Sequence, residues 1–211
     1  MKVIAANIGK PTKVEWNGKL IETGIYKYPT KKSILLEKET VANDTVSDRK
    51  HHGGIYKACY LFSSDNYNFW KEKYPNLNWD WGMFGENLTI SGLDESRIRI
   101  GNKYKIGNAL VQVTLPREPC FKLGIRFKNQ KILKEFIAHE KPGIYVKVLE
   151  EGLVTVGDFL ELIEESENIL TVKQFYQLLY MREKDNELVK LAIKNTALPL
   201  YKRERLQKVI K

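Results

Sequence analysis

The sequence predicts a mainly β (α+β) protein: a β-barrel with a few inserted helices, followed by a small three-helix domain. Three observations carry that prediction. Short apolar stretches recur at regular spacing through residues 1–165, with Gly, Asn and Pro between them, the pattern of a closed or nearly closed barrel. The acidic segment Glu164-Glu165-Ser166-Glu167-Asn168 then marks a boundary. Beyond it, through residues 166–211, apolar residues fall at helical rather than alternating spacing.

The elements follow in order. Residues 2–8, 20–26 and 33–37 read as strands. Asn17-Gly18 between apolar stretches is a hairpin signal, because both residues tolerate positive φ, so residues 15–20 form a hairpin tip. The polar stretch 44–54 holds two of the three histidines and ends in Gly53-Gly54, which suits a turn or a close backbone approach to a ligand. Residues 55–62 read as a buried strand, with Cys59 as a plain core residue. Ser63-Ser64-Asp65 opens a short helix bearing Tyr67, Trp70 and Tyr74, which stops at Pro75. An aromatic loop from Trp79 and Trp81 passes Gly82 and Gly85 into a strand at 88–90. Residues 97–100 and 103–106 flank Gly101-Asn102 as a hairpin, and 109–115 is a strand with alternate apolar positions. An amphipathic helix over 131–139 stops before Pro142-Gly143, after which strands resume over 143–149 and 153–163. Thr171, Asp185 and Pro199 then open three helices. So small a unit is not expected to be stable alone; it is expected to dock on the barrel or on another subunit, as in a homodimer.

Composition narrows the function. A hydrophobic fraction of 43% suffices for a core. No apolar run is long enough to cross a bilayer, and Met1-Lys2-Val3-Ile4-Ala5-Ala6-Asn7 turns polar too soon for a signal peptide. Two cysteines without an export signal indicate a reducing cytoplasm and no structural disulfide. The net charge of +9 is enriched near the C-terminus, where ten Lys/Arg face five Asp/Glu from Ser166 onward. That balance permits attraction to an acidic partner or to nucleic acid. The basic and aromatic residues do not interleave as in base-stacking sites, so stable nucleic-acid binding is not expected. His51 and His52 with Cys120 match no usual zinc spacing, and phosphate-loop, dinucleotide and Ser/His/Asp signatures are absent.

The richest chemistry lies in Leu115-Pro116-Arg117-Glu118-Pro119-Cys120-Phe121-Lys122-Leu123. Pro116 removes a backbone donor and stops the preceding strand, and Pro119 fixes φ just before the cysteine. Cys120 is thus presented on a stiff loop at a strand end, a common place for reactive groups. The nearby Arg117 and Lys122 favour thiolate over thiol. A thiolate there could be a nucleophile, a persulfide carrier or a soft metal ligand; an inert cysteine in a proline turn is the structural alternative.

Three motifs occur in order: His52-Gly53-Gly54-Ile55-Tyr56-Lys57-Ala58, Phe84-Gly85-Glu86-Asn87-Leu88, and Pro116-Arg117-Glu118-Pro119-Cys120-Phe121-Lys122-Leu123. Together they resemble the MOSC domain, the domain found at the C-terminus of molybdenum-cofactor sulfurases. Their spacing, with three helices after the barrel, resembles the stand-alone bacterial YiiM-like branch. The resemblance implies a barrel that binds the molybdenum cofactor, a pterin dithiolene with a phosphate, with Cys120 as metal ligand and catalytic centre. It implies that Lys27 lies near the cofactor phosphate and that Arg117 pairs with phosphate or pterin oxygen. His52, Gly53, Gly54, Gly85, Glu86 and Asn87 would complete the cofactor-binding set. His51 precedes the matching histidine, and only His52 is carried over. The implied activity is reduction of small N-hydroxylated compounds, such as hydroxylaminopurine-type base analogues, which detoxifies them. Nothing in the chain matches a flavin or iron–sulfur motif, so electrons would come from a separate reductase docking on the basic C-terminal helices, Lys202, Arg203 and Arg205 included. The alternative is a sulfur-carrier or cofactor-binding module that holds a Cys120 persulfide without turnover of its own.

Overall fold

The structure, a computed structural model, describes residues 1–209, apart from the side chains of Lys50 and His51. The first third holds β1 (Lys2–Gly9), β2 (Thr12–Trp16), β3 (Lys19–Thr23), β4 (Lys27–Pro29), β5 (Ile34–Glu37), β6 (Thr40–Val41) and α1 (Arg49–His52). A 3-10 turn over Ile55–Lys57 leads into β7 (Cys59–Ser63), α2 (Tyr67–Lys73) and β8 (Leu88–Ser91). Next come β9 (Lys103–Ile106), β10 (Ala109–Pro116), α3 (Phe121–Arg126) and α4 (Ile132–His139). The last strands are β11 (Ile144–Glu150), β12 (Gly152–Val154) and β13 (Leu160–Glu164). Helices α5 (Val172–Tyr180), α6 (Asn186–Lys194) and α7 (Leu200–Gln207) follow.

Eight strands form the main sheet in the order β13-β9-β10-β11-β7-β8-β1-β4. Neighbours run antiparallel except β7 and β8, which need a crossover between them, and α2 supplies it. Register shifts in β1 against β8 and in β10 against β11 mark bulges, which bend and twist a sheet.

The sheet is not closed into the expected barrel. No ladder joins its terminal strands β13 and β4. β1 reaches the β13 end through an isolated bridge between Lys2 and Phe159 and through backbone bonds to Gly157, Asp158 and Leu160. The cause is local. Gly157, at φ 103, turns the chain in the middle of the expected strand 153–163, and Asp158 caps that turn by accepting from Thr155 N at 2.8 Å. Two short strands result where one long one could have zipped along β1.

Other departures have similar causes. The expected strand 20–26 stops at Thr23; at the next residue only glycine fits, because a Cβ on Gly24 would lie 2.0 Å from the Thr45 carbonyl oxygen. Here two chain segments pass backbone to backbone. Gly54, at φ 87, diverts residues 55–57 into a 3-10 turn before β7 begins. Residues 97–100 make no hairpin strand; Arg99 forms an isolated bridge with Thr171 instead. Helix α3, directly after Cys120, was not foreseen.

The three C-terminal helices form where expected. Thr171 and Gln174 make a capping box on α5, and Asp185 accepts from Glu187 N and Leu188 N at the start of α6. Pro199 precedes α7, and Ile210 lies outside the described residues. Their buried residues, among them Val172, Phe175, Val189, Ala192 and Leu206, join the same apolar cluster as the sheet. No described helix is long and apolar enough to cross a membrane.

Candidate active site at the end of strand β10

An open cleft of about 600 Å³, counting the solvent at its mouth, lies where β10 gives way to α3. Six of the predicted residues line it: Lys27, His52, Gly85, Asn87, Arg117 and Cys120. They come from four separate stretches of chain, gathered because β1, β7, β8, β10 and β11 lie close together in the sheet. Cys120 is half-buried, in extended backbone immediately before α3, and its carbonyl accepts from Leu123 N at 2.9 Å.

Arg117 is 6% exposed. Its guanidinium lies 5.3 Å from the centre of the Tyr60 ring and 5.5 Å from that of Phe136. Burial works against its charge, but Tyr60, Tyr145 and Cys120 around it outweigh that and hold its pKa above the ordinary arginine value. Its Nη1 is buried with no hydrogen-bond partner. Leaving such a donor unmade costs about 1–3 kcal/mol, and the residue that bears it lines the cleft. An acceptor-bearing ligand would satisfy it.

Lys27 is buried and its ammonium meets the Asp44 carboxylate. Asp44 also accepts from Gly9 N and Asn87 Nδ2, each at 2.8 Å. Lys27 therefore carries a matched charge into the cleft wall, and Asn87 is partly committed to holding Asp44. Asp44 was missed: in sequence it opens a polar loop, with nothing to show that it would fold against Lys27.

His52 is pushed down to about 4 by burial and by the cations Arg117, Lys57 and Lys122. It is thus a neutral imidazole over the physiological range, able to donate or accept. Lys57 and Lys122 also line the cleft; the sequence placed Lys122 beside Cys120 for its charge, whereas Lys57 escaped prediction because it was assigned to a buried strand. Burial lowers the pKa of Lys57, while Glu118, Cys120 and Asp48 act against that. Tyr145, also on the wall, is pushed up to about 12 by burial despite Arg117.

Three predicted residues do not reach the cleft wall. Glu86 is fully buried and faces the protein: it accepts from the Tyr67 hydroxyl, from Gly82 N and Phe84 N at 2.9 and 3.1 Å, and from Thr89 Oγ1 at 2.9 Å. Burial raises its pKa, an effect these donors oppose. It fastens the Gly82–Gly85 turn to β8. Gly53 packs on Arg49, whose Cα would lie 3.2 Å from a Cβ at that position, and Gly54 opens the 3-10 turn. Both glycines shape the backbone that presents His52. The side chain of His51 lies outside the described residues. Among the described residues no three His, Cys, Asp or Glu gather around one point.

The chain was compared with known proteins. The MOSC domain family model matches residues 48–161, which contain all three motifs. An uncharacterized protein of Bacillus subtilis, YflK, is 36% identical over 198 residues, covering 93% of this chain and 88% of its own. A protein of Gibberella moniliformis named "Reductase" is 36% identical over 116 residues, which is 54% of this chain and 21% of that longer protein. The crystal structure of YiiM from Geobacillus stearothermophilus superposes with a TM-score of 0.83 at 29% identity, over 100% of this chain and 99% of that one. On its fold, its motifs and these relatives, the chain belongs to the MOSC domain family as a YiiM-like member.

Proposed function

We propose that this protein is a molybdenum-cofactor-binding reductase of N-hydroxylated compounds, with Cys120 as the metal ligand. The observation that carries the reading is the pairing of a half-buried Cys120 with a buried, unpartnered Arg117 Nη1 at the same cleft. The donor set fits the group. One thiolate is too few to hold a metal that comes alone, but suits a soft metal that brings a dithiolene with it. Arg117 would donate its planar fork to phosphate or pterin oxygen, and Lys57 and Lys122 add positive field. Lys27 is already matched by Asp44, so its role is to complete the wall more than to add charge. His52, held neutral, can hydrogen-bond a ligand without repelling the neighbouring cations. When bound, the cofactor would supply the redox chemistry that takes the oxygen from nitrogen, and the chain supplies binding and electrostatics.

Removing that oxygen as water takes up an electron pair and protons. The cleft side chains store no electrons, so a separate reductase would supply them. Its docking face would use the exposed charges of α7 such as Arg205, because Lys202 is buried. The reductase-named relative supports an oxidoreductase role.

The test is molybdenum content per chain, for wild type and Cys120→Ala, both purified anaerobically from a cofactor-producing host. Near-stoichiometric metal that is lost in the variant is expected. Metal retained by Cys120→Ala would sink the ligand assignment. Metal absent from both, with a reductant-removable extra sulfur on Cys120 by intact mass, would favour the sulfur carrier instead.

A further inference from the structure

The loop bearing Cys120 has an anchor outside the sheet. Lys202, on α7, is 7% exposed, and its Nζ donates to Glu118 Oε1 at 2.6 Å. A lysine so far out of water needs a matched anion, since an unpaired buried charge is strongly unfavourable. Glu118 stands in the loop between Arg117, on the cleft wall, and Pro119-Cys120. Pro116 and Pro119 lack an N–H, so neither adds a backbone donor to hold that loop in place.

Helix α7 is itself tied to the segment that leads into β9. Asn195, five residues ahead of it in the connecting segment, donates to the Ile100 carbonyl at 3.0 Å and accepts from Ala197 N at 3.0 Å. Leu198 and Leu206 are buried on either side of Lys202. A continuous set of contacts thus runs from the segment before β9 through Asn195 and α7 to Lys202, and through Glu118 to the cysteine loop. Glu118 is also the carboxylate that acts most on Lys57, which lines the cleft.

We infer that Lys202 is a positioning residue for Cys120, acting through Glu118, so that the C-terminal helices complete a site that the sheet begins. This rests on Cys120 being the reactive group of the cleft.

The experiment is amide hydrogen exchange on the full chain, following residues 116–127 in wild type, Lys202→Arg and Lys202→Met. Leu123 N–H, bonded to the Cys120 carbonyl, is the reporter. Exchange in Lys202→Met is expected to rise about tenfold, the factor equivalent to about 1.4 kcal/mol, and Lys202→Arg is expected to restore it. A double variant, Lys202→Met with Glu118→Gln, keeps the result readable if the single variant is unstable. With Glu118 half-exposed, only the buried Lys202 charge needs a partner; removing both charges leaves no buried cation unmatched, so the melting temperature should recover while the loop still exchanges fast. Unchanged loop exchange in Lys202→Met overturns the inference. So does a rise of equal size throughout α5 and α6, which would make the pair a fastening for the helices alone. Molybdenum content of the same wild-type preparation judges the cofactor reading separately. Metal present with an unmoved loop sinks only the positioning role, and a moved loop without metal counts only against the cofactor.

Discussion

Glu95 shows how one residue can oppose the rest of the core. It is 2% exposed, and its Oε1 accepts from Gly143 N at 2.8 Å, just before β11 carries Tyr145 to the cleft. Burial lifts its pKa to about 7, more than its hydrogen bonds and Lys141 bring it down. Between about pH 4.5 and 7 the folded chain therefore holds a proton that the unfolded chain has released. Its contribution to stability falls as pH rises through that window. Glu95→Gln keeps the acceptor without the charge, so urea unfolding should find it more stable than wild type at pH 8. The gain should shrink as pH drops toward 4.5. A gain of the same size at pH 8 and pH 4.5 would show that ionisation of Glu95 is not the cause. His139 acts with the opposite sign: burial beside Lys141 and Lys73 pushes it down to about 4, so its contribution weakens as pH falls below 6.5. For that reason the difference between variant and wild type, rather than the wild-type curve, isolates Glu95.

Among the elements, the ribbon of β2 and β3 is the least secured. It forms a sheet of its own, apart from the other strands, and of its residues only Thr23 is buried. Two strands alone are marginal in water, so the ribbon depends on what it touches. The Trp16 ring stacks on Phe121, centroids 5.4 Å apart and planes 29° apart, and Phe121 begins α3 directly after Cys120. Trp16→Ala should cost about 0.5–1.5 kcal/mol for the lost stack, a modest drop in global stability. Amide exchange over residues 12–23 should rise much more than exchange in β10. Ribbon amides that keep their wild-type protection would mean that its own hairpin bonds suffice.

At the scale of the whole molecule, the change of composition after Glu164 does not coincide with a change of core. Leu170, Phe175, Leu178 and Leu198 belong to the cluster that also contains Val111 and Val113 of β10. A chain ending at residue 165 would uncover the apolar surface that these residues cover, and exposed patches of that kind lead to association. Residues 1–165 expressed alone are therefore expected to aggregate or to lack a cooperative thermal transition. A soluble, sharply melting fragment would support the division into domains 1–165 and 166–211.

Much of this protein is legible from its sequence because the signals are local. Asn17-Gly18, with both residues at positive φ, makes its hairpin. The Thr171 and Asp185 caps start their helices at the predicted positions, and Pro116 ends β10 where a missing donor must end a ladder. Cys120 on a proline-stiffened loop belongs to the same class, as do the motifs that identify the family. The tertiary structure decided whatever depends on partners distant in sequence. Asp44 meets Lys27 across 17 positions, and Lys202 meets Glu118 across 84 positions. Glu86, adjacent to a cleft residue in sequence, faces the other way, where Tyr67, Gly82, Phe84 and Thr89 together donate to its carboxylate. Barrel closure failed for the same kind of reason. Alternating apolar residues specify strands, but whether the last strand zips onto the first depends on the turn at Gly157 and on which edge of β1 is already occupied.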